Sequence, residues 1–428
     1  MNASNSVVEV WLDCDFYPAQ KIGMLHHDRG QIRFHYDAAW IKQPAAFMID
    51  PQLTLDEGAF FPKPETGNFG ILMDSAPDRW GQTLMKRREA LVAKDDKRAV
   101  RTLYAWDYLL GVQDATRQGA LRFKFPEFEN FAADELLSAP PVTNLPELAT
   151  IAKALSGKNV DDLDKLRKWL AVLVAPGASL GGARPKANFS EKDGTLWIAK
   201  FPAHDDVLDV GAWEWLAWRL AKRADVAVPQ AKKIRLGRSR FHTFCVQRFD
   251  RVKRRRRFYA SAMTLLGKDV SEGTSYLEMA AFIASHGDPA SIKSDLTQLF
   301  RRVIFNVAVG NRDDHLRNHG FLLTANGWCL SPAFDVNPNI NKADHVLNLD
   351  ESDNRPSIES AFATHADYGL DARQAMTIVG DVTRVVATWK KEALKAGISR
   401  GDIDLMRSAF SAVEVFKQPG HPDEHKKQ

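Results

Sequence analysis

Residues 310–319, with the sequence GNRDDHLRNH, constrain this chain more than any other stretch. Asp313 is followed five positions later by Asn318 (318 minus 313), and Asp335 comes after the next strand-like segment. This pattern is typical of a phosphotransfer site, in which one carboxylate accepts the proton of the attacking hydroxyl while an Asn and a second Asp offer hard oxygen ligands to Mg²⁺. Alone the spacing is a weak signal, because Asp and Asn also cap helices and close turns.

Composition places the chain among ordinary globular proteins. It has 428 residues, of which 45% are hydrophobic and 26% charged, enough for two or three domains. The formal net charge of +4 does not require a nucleic-acid or membrane partner. Cys14, Cys245 and Cys329 are too few and too scattered for a disulfide framework or a zinc site, so we expect a reducing cytoplasm. The polar N-terminus does not resemble a signal peptide, and no apolar run is long enough to span a bilayer.

The N-terminal part predicts a small antiparallel sheet followed by helices. Short runs at residues 7–11, 21–26 and 31–36 are rich in β-branched and aromatic residues and are separated by turn signals. A helix capped by Asp74 or Ser75 is expected to run to about residue 93. A shorter helix at residues 104–110 and a strand at 119–123 follow, and the proline-rich stretch 126–146 is predicted to be a linker.

A glycine-rich loop and a lysine-bearing strand come next. After a predicted helix at residues 162–174, residues 177–186 form a loop that could bring backbone N–H groups close to phosphates, although a flexible surface turn explains it equally well. Lys200 ends an apolar strand, where a lysine has little structural purpose. Glu214, on the predicted helix 210–221, is its candidate partner; the alternative for Glu214 is a solvated helix residue.

The remaining sequence predicts strands, a basic turn and then helices. Strands around residues 232–236 and 241–249 end in a possible adenine hinge that contains Gln247. The basic run 251–257 predicts a solvated hairpin tip, with a contact to nucleic acid or an acidic partner as the alternative. Helical periodicity then marks four segments: residues 276–285, 291–309, 372–397 and 400–415.

Several motifs in order give the chain a resemblance. They are residues 74–81 (DSAPDRWG), 108–112 (YLLGV), 119–123 (GALRF), 179–186 (SLGGARPK), 199–202 (AKFP), 247–251 (QRFDR), 311–318 (NRDDHLRN) and 331–335 (SPAFD). Together they resemble the HipA family of Ser/Thr kinases, the toxin halves of bacterial type II toxin–antitoxin pairs. The resemblance implies an α+β, protein-kinase-like bilobal fold. We expect an N-terminal subdomain over 1–135, a small β-rich lobe over 150–250 and a larger helical lobe over 251–428.

The resemblance also implies ATP and Mg²⁺ as cofactors and a role for each site residue. Asp313 would be the catalytic base, Lys200 the phosphate lysine, and Asn318 and Asp335 the Mg²⁺ ligands. Further nucleotide contacts would come from Gly181, Gly182, Ala183, Arg184, Pro185, Lys186, Gln247, Phe249 and His315. Ser179 would be the regulatory site, since phosphorylation there would repel the ATP phosphates and silence the enzyme.

Three finer expectations concern the neighbours of these residues. Asp314 is expected to face solvent or to cap, and His315 to brace the loop by hydrogen bonds rather than to transfer protons. Gln247 departs from the pattern, since an acid is expected at that position of the hinge.

The implied partners are a helix-turn-helix antitoxin and a protein substrate from translation, such as an aminoacyl-tRNA synthetase. Operator DNA would be reached only through the antitoxin, and no membrane is involved. Two alternatives remain: a kinase-like scaffold that binds the antitoxin or DNA without catalysis, and a kinase of the same fold that acts on a small molecule or lipid.

Overall fold

The computed structural model describes residues 6–133, 144–156, 184–253 and 255–416. The chain forms two compact units, each built from separate stretches of sequence. Unit 1 contains Met1–Gly211, Pro229–Val270 and Leu316–Ser331, and unit 2 contains Ala212–Val228, Ser271–His315 and Pro332–Gln428. The predicted helix 162–174 and residues 177–183 of the glycine loop, among them Ser179, Gly181, Gly182 and Ala183, lie outside the described residues.

Unit 1 begins with the predicted antiparallel sheet. Its strands are β1 (Ser6–Cys14), β2 (Tyr17–Asp28), β3 (Gln31–Tyr36) and β4 (Leu121–Lys124), in the order β3-β2-β1-β4. Val8, Val10 and Leu12 alternate along β1 and are fully buried, so one face of the sheet covers a hydrophobic core. The strand predicted at 119–123 is β4, which pairs antiparallel with β1 at one edge of this sheet.

Four helices lie between β3 and β4 in the sequence. They are α1 (Ala38–Ile41), α2 (Gly70–Asp74), α3 (Arg79–Asp95) and α4 (Ala105–Leu110). The expected cap at Asp74 or Ser75 is wrong, because Asp78 caps α3 and accepts the Gly81 N–H at 2.8 Å. Asp74 instead ends α2, and its buried carboxylate accepts the Ser261 N–H at 2.7 Å.

A second antiparallel sheet carries the lysine-bearing strand. Helix α5 (Leu145–Ser156) precedes β5 (Lys186–Ser190), β6 (Leu196–Lys200), β7 (Ala231–Ile234) and β8 (Thr243–Gln247), which lie in the order β5-β6-β8-β7. Leu148, Ile151 and Leu155 of α5 are buried in one hydrophobic cluster with Phe189 of β5. Helix α5 begins inside the predicted linker. Its buried residues Leu145, Leu148, Ile151 and Leu155 are three or four positions apart, and this spacing was the signal of a helix.

The basic run forms the predicted hairpin, β9 (Arg251–Val252) and β10 (Arg255–Arg256), but its arginines are not all solvated. The side chains of Arg251 and Arg256 are each 8% exposed and pair with Asp250 and Asp114. The solvated-tip prediction is therefore wrong for these two residues, because the buried carboxylates of the adjacent Asp250 and the distant Asp114 pair with them. A third sheet completes unit 1, with strands β11 (Tyr259–Ser261), β12 (Gly320–Leu323) and β13 (Trp328–Leu330), and the short helix α7 (Ala262–Leu265) follows β11.

Unit 2 is helical in its described part. It contains most of α6 (Val210–Arg223), then α8 (Tyr276–His286), α9 (Ile292–Val309), α10 (Ile358–Ala363), α11 (Ala372–Val386), α12 (Trp389–Lys395), α13 (Arg400–Met406) and α14 (Ser411–Val415). The second half of α9 is buried on every side, so it is the central helix. The rings of Trp389 and Phe410 stack with centroids 4.1 Å apart. The single helix predicted at 372–397 is two helices, α11 and α12.

Across the described ranges, no helix is long and apolar enough to cross a membrane. All three cysteines carry free thiols. Burial raises the pKa of Cys14 to about 11 and that of Cys245 to about 12, so neither thiol is a ready nucleophile at neutral pH.

Candidate functional site

In unit 1 the predicted nucleotide residues lie on adjacent strands. The antiparallel register places Lys186 opposite Lys200, and Gln247 opposite Trp197. Lys200 follows the buried residues Ile198 and Ala199, and its Nζ lies 5.9 Å from the ring centroid of Phe244. The sheet therefore brings Lys186, Lys200 and the hinge strand into one layer.

Lys186 is the first residue of β5 and not part of a loop. Its Nζ lies 2.5 Å from Oδ2 of Asp78, and the two side chains are 1% and 5% exposed. The Trp80 indole N–H also donates to the Lys186 carbonyl at 3.0 Å. The predicted loop thus ends before Lys186. The charge of Lys186 is balanced by Asp78, the residue that caps α3. Arg184 forms a bidentate pair with Asp206 in the same way.

The predicted hinge follows β8 and contains a buried ion-pair network. The Gln247 N–H donates to the Gln230 carbonyl at 2.8 Å, and the Phe249 ring lies 6.0 Å from that of Tyr259. Between them, Arg248 binds Asp250 with Nε at 2.9 Å from Oδ1. Burial alone would raise the pKa of Asp250, but the guanidinium groups of Arg248 and Arg251 outweigh it and hold that pKa well below its usual value. The hinge is therefore fixed by charges within unit 1.

In unit 2 the turn after α9 depends on a glycine at residue 310. Gly310 ends α9 with φ of 65°, and a Cβ built there would lie 2.1 Å from the Ala409 carbonyl oxygen. No other residue fits this position without moving the backbone. The Asn311 N–H then donates to the Asn306 carbonyl at 2.9 Å. The chain thus leaves α9 in one fixed direction just before Asp313.

Asp313 and Asp314 have different surroundings. The side chain of Asp313 is 56% exposed, and its Oδ1 lies 2.5 Å from Lys342 Nζ. Asp314 is 2% exposed; its Oδ2 accepts hydrogen bonds from the Tyr276 hydroxyl at 2.5 Å and from Asn306 Nδ2 at 2.7 Å. The expectation that Asp314 faces solvent or caps is therefore wrong, because α8 and α9 supply donors that hold it inside. Burial and the charge of Asp314 raise the pKa of Tyr276 well above its usual value, so its hydroxyl remains a donor.

Two histidines of unit 2 have buried ring nitrogens without partners. Nδ1 of His315 has no hydrogen-bond partner within the described part of the chain, so the expected bracing through this atom is not found. Neither ring nitrogen of His345 has such a partner there either, and burial lowers the pKa of His345 to about 4. A buried ring nitrogen without a protein partner, such as Nδ1 of His315 next to Asp314, fits a site that binds a polar ligand.

The predicted metal ligands lie in different units. Asn318, in unit 1, is 6% exposed, and Asp335, in unit 2, has a left-handed φ of 56°. Such a backbone conformation is costly for a residue with a side chain and is concentrated at functional sites. The described residues contain no cluster of three or more His, Cys, Asp or Glu side chains suited to a metal. The amide oxygen of Asn318 and the carboxylate of Asp335 are each oxygen ligands of the type that Mg²⁺ prefers.

Glu214 is 4% exposed, so its alternative as a solvated helix residue is wrong. Sequence reasoning missed Lys342, Tyr276 and Asn306. Lys342 had no signal, since it lies in an aperiodic stretch, whereas Tyr276 and Asn306 were assigned only to apolar helix faces.

Comparison with known proteins identifies the family. Residues 12–106 match the HipA N-terminal domain, and residues 178–389 match the HipA-like C-terminal domain. The chain belongs to the HipA family. The fold agrees with HipA from Shewanella oneidensis MR-1, solved with HipB and operator DNA. The TM-score is 0.65 at 19% identity, over 95% of each chain. This confirms the predicted α+β, kinase-like fold class.

Curated relatives of this HipA-family chain are named as kinases. One is the serine/threonine-protein kinase toxin HipA of Shewanella oneidensis, 28% identical over 38% of this chain and 43% of that protein. Another is a putative kinase of Haemophilus influenzae, 26% identical over 37% of this chain and 52% of that protein. The chain therefore spans about half the length of the curated relatives it matches.

Proposed function

We propose that this HipA-family protein is an ATP- and Mg²⁺-dependent Ser/Thr protein kinase that acts as the toxin of a toxin–antitoxin pair. The observation that carries the proposal is the contrast at residues 313 and 314. A half-exposed carboxylate is presented by a backbone that Gly310 and the buried Asp314 hold in place. A general base needs this combination of access and fixed direction.

The roles follow from the chemistry of each side chain. Asp313 accepts the proton of the substrate hydroxyl as its oxygen attacks the γ-phosphorus of ATP. Lys200 neutralises α- and β-phosphate charge from the end of β6, and Gln247 and Phe249 contact the adenine. Asn318 and Asp335 would each offer an oxygen ligand to Mg²⁺, which would neutralise charge on the phosphates when bound. Lys186 and Arg184 pair with Asp78 and Asp206.

The finer parts of the proposal follow from the family resemblance. Phosphorylation of Ser179 silences the enzyme, because a dianion repels the ATP phosphates. The substrate is a translation component such as an aminoacyl-tRNA synthetase, and the antitoxin is a helix-turn-helix protein. The solved Shewanella complex of HipA, HipB and operator DNA supports such a partner, with DNA reached through the antitoxin. We also propose a cytoplasmic location.

Two variants and one control test the kinase proposal. Asp313→Asn is expected to lower phosphate transfer from labelled ATP to cell-extract proteins by roughly 10²–10⁴-fold, the usual contribution of a general base. Asp335→Asn should also abolish transfer and should weaken the dependence of ATP binding on Mg²⁺ in calorimetry. Asp381→Asn, which removes an exposed carboxylate of α11 paired with Arg384, should change neither.

Opposite results would favour the alternatives. Transfer retained in both variants would refute the proposed chemistry. A wild-type protein that binds no ATP would favour the scaffold that docks an antitoxin without catalysis. ATP turnover with a small hydroxyl compound or a lipid, but with no extract protein, would favour the small-molecule kinase.

A further inference from the structure

Lys342 forms an ion pair with Asp313, the proposed general base. Its Nζ lies 2.5 Å from Asp313 Oδ1, and the two side chains are 44% and 56% exposed. Ion pairs so open to water add little to folding stability. The pair therefore calls for a reason other than stability.

The backbone around Lys342 is hydrogen-bonded to the residues that come just before Asp313 in the sequence. Arg312 is 8% exposed and donates from Nη1 to the Lys342 carbonyl at 2.8 Å, and from Nη2 to the Ser408 carbonyl at 3.1 Å. The Asn339 N–H donates to the Gly310 carbonyl at 2.9 Å. These bonds fix the stretch 339–342 against residues 310–312. Their result is an ammonium group held beside the reactive carboxylate.

We propose that Lys342 is a further catalytic residue, an inference that rests on the proposed kinase function. Before the reaction its ammonium orients the Asp313 carboxylate, and during transfer it binds an oxygen of the moving γ-phosphoryl group. A lysine suits this task because its charge is compact and its four-carbon stem lets it move between two nearby anions. Charge that develops on the phosphoryl oxygens is then met by a cation already in place.

The step balances without any further reactant. The acceptor hydroxyl gives its proton to Asp313 as its oxygen bonds to the γ-phosphorus. The bond from that phosphorus to the bridging oxygen breaks, and its electron pair leaves with ADP. Lys342 takes no part in the proton transfer. When Asp313 takes up the proton it loses its charge, so it attracts the Lys342 ammonium less strongly. The ammonium can then bind the phosphoryl oxygens at the stage when they carry the developing charge.

The test compares Lys342→Met and Lys342→Arg with a matched control, Lys390→Met. Lys390 also pairs with a partly exposed carboxylate of unit 2, Glu414, at 2.7 Å. The readouts are the initial rate of label transfer from ATP to cell-extract proteins, the KM for ATP and the melting temperature. We expect Lys342→Met to lower kcat by about 100-fold with KM for ATP within about threefold. Lys342→Arg should recover at least about a tenth of the wild-type rate, and Lys390→Met should match wild type.

The outcomes separate the two proposals. If wild type transfers phosphate and Lys342→Met stays within about twofold of it, the role of Lys342 is refuted while the kinase function stands. The role is also refuted if Lys342→Arg is as inactive as Lys342→Met, or if the loss of rate follows a loss of melting temperature. If wild type binds ATP but transfers nothing, the kinase proposal fails and the role of Lys342 fails with it.

Discussion

Asp313 and Asp314 are consecutive residues, yet the Asp313 side chain is 56% exposed and Asp314 is 2% exposed. The first carboxylate pairs with the partly exposed Lys342, whereas the second accepts hydrogen bonds from two helices. We therefore expect Asp314 to contribute more to folding stability and Asp313 to contribute more to catalysis.

Asp314→Ala should unfold the protein more easily than Asp313→Ala. Loss of the Asp314 carboxylate removes two buried hydrogen bonds, one from the Tyr276 hydroxyl and one from the Asn306 amide, and we expect a cost of about 3 kcal/mol in the free energy of unfolding. Asp313→Ala removes an exposed ion pair and should cost no more than about 1 kcal/mol. Urea denaturation measures both values. Equal costs would show that the buried cluster does not anchor this turn.

Lys186→Met should destabilise unit 1 because the buried carboxylate of Asp78 loses its ion pair with Lys186. The two side chains are 1% and 5% exposed, so breaking the pair should cost roughly 3–5 kcal/mol. The double variant Lys186→Met with Asp78→Asn should recover much of this loss, since Asn still caps α3. Thermal unfolding of the single and double variants provides the measurement.

ATP binding by the same variants tests the role expected from the sequence. If Lys186 contacts ATP phosphates, the double variant should bind ATP more weakly even after its stability has recovered. Unchanged ATP affinity in calorimetry would limit Lys186 to its pair with Asp78.

Asp250→Asn should destabilise unit 1 by roughly 3–5 kcal/mol, because Arg248 and Arg251 would be left buried without their counterion. Asp250 has a pKa below its unfolded value, so its contribution is present above the unfolded pKa of Asp and is lost as pH falls through the folded one. The control is Asp15→Asn, since Asp15 is 29% exposed and lies 3.8 Å from Arg257. Chemical denaturation at neutral pH should show a loss for Asp250→Asn alone.

His345 should make the protein less stable in mild acid. Its folded pKa of about 4 lies below the ordinary value of 6.5, so the folded state favours the neutral ring. Stability is complete above pH 6.5 and falls as pH drops toward 4, by up to about 3 kcal/mol. His345→Gln should flatten the melting temperature in this pH range. The exposed His204→Gln should leave the slope as in wild type, and a slope unchanged in both variants would contradict the assignment to His345.

The sequence predicted much of the fold because its signals are local. Alternating residues in β1 and helical spacing in α8 and α9 follow from which face of each element is buried. The acid and Asn five residues apart pointed to residues 313 and 318 for the same reason, since a turn after a helix is a local feature. Helix α5 was missed because Pro146 in its first turn follows Pro140 and Pro141, and together they resembled a linker.

Properties that depend on distant residues could not be predicted. Whether Arg251 and Arg256 are solvated depends on Asp250 and Asp114, and the latter is far away in sequence. The same is true of Lys186 and Asp78, and of Lys342, which only the folded chain places beside Asp313. Ion pairs between residues far apart in the sequence produce no periodic pattern that could be recognised in advance.

The third sheet of unit 1 has a consequence for synthesis. Strand β11 pairs with β12, and the connection between them in the chain runs through residues 271–315 of unit 2. A growing polypeptide therefore cannot close unit 1 until the ribosome has translated the stretch that bears Asp313. A message cut short before codon 320 would yield a product that lacks this sheet, so premature termination should give a degradable fragment and not a partly active enzyme.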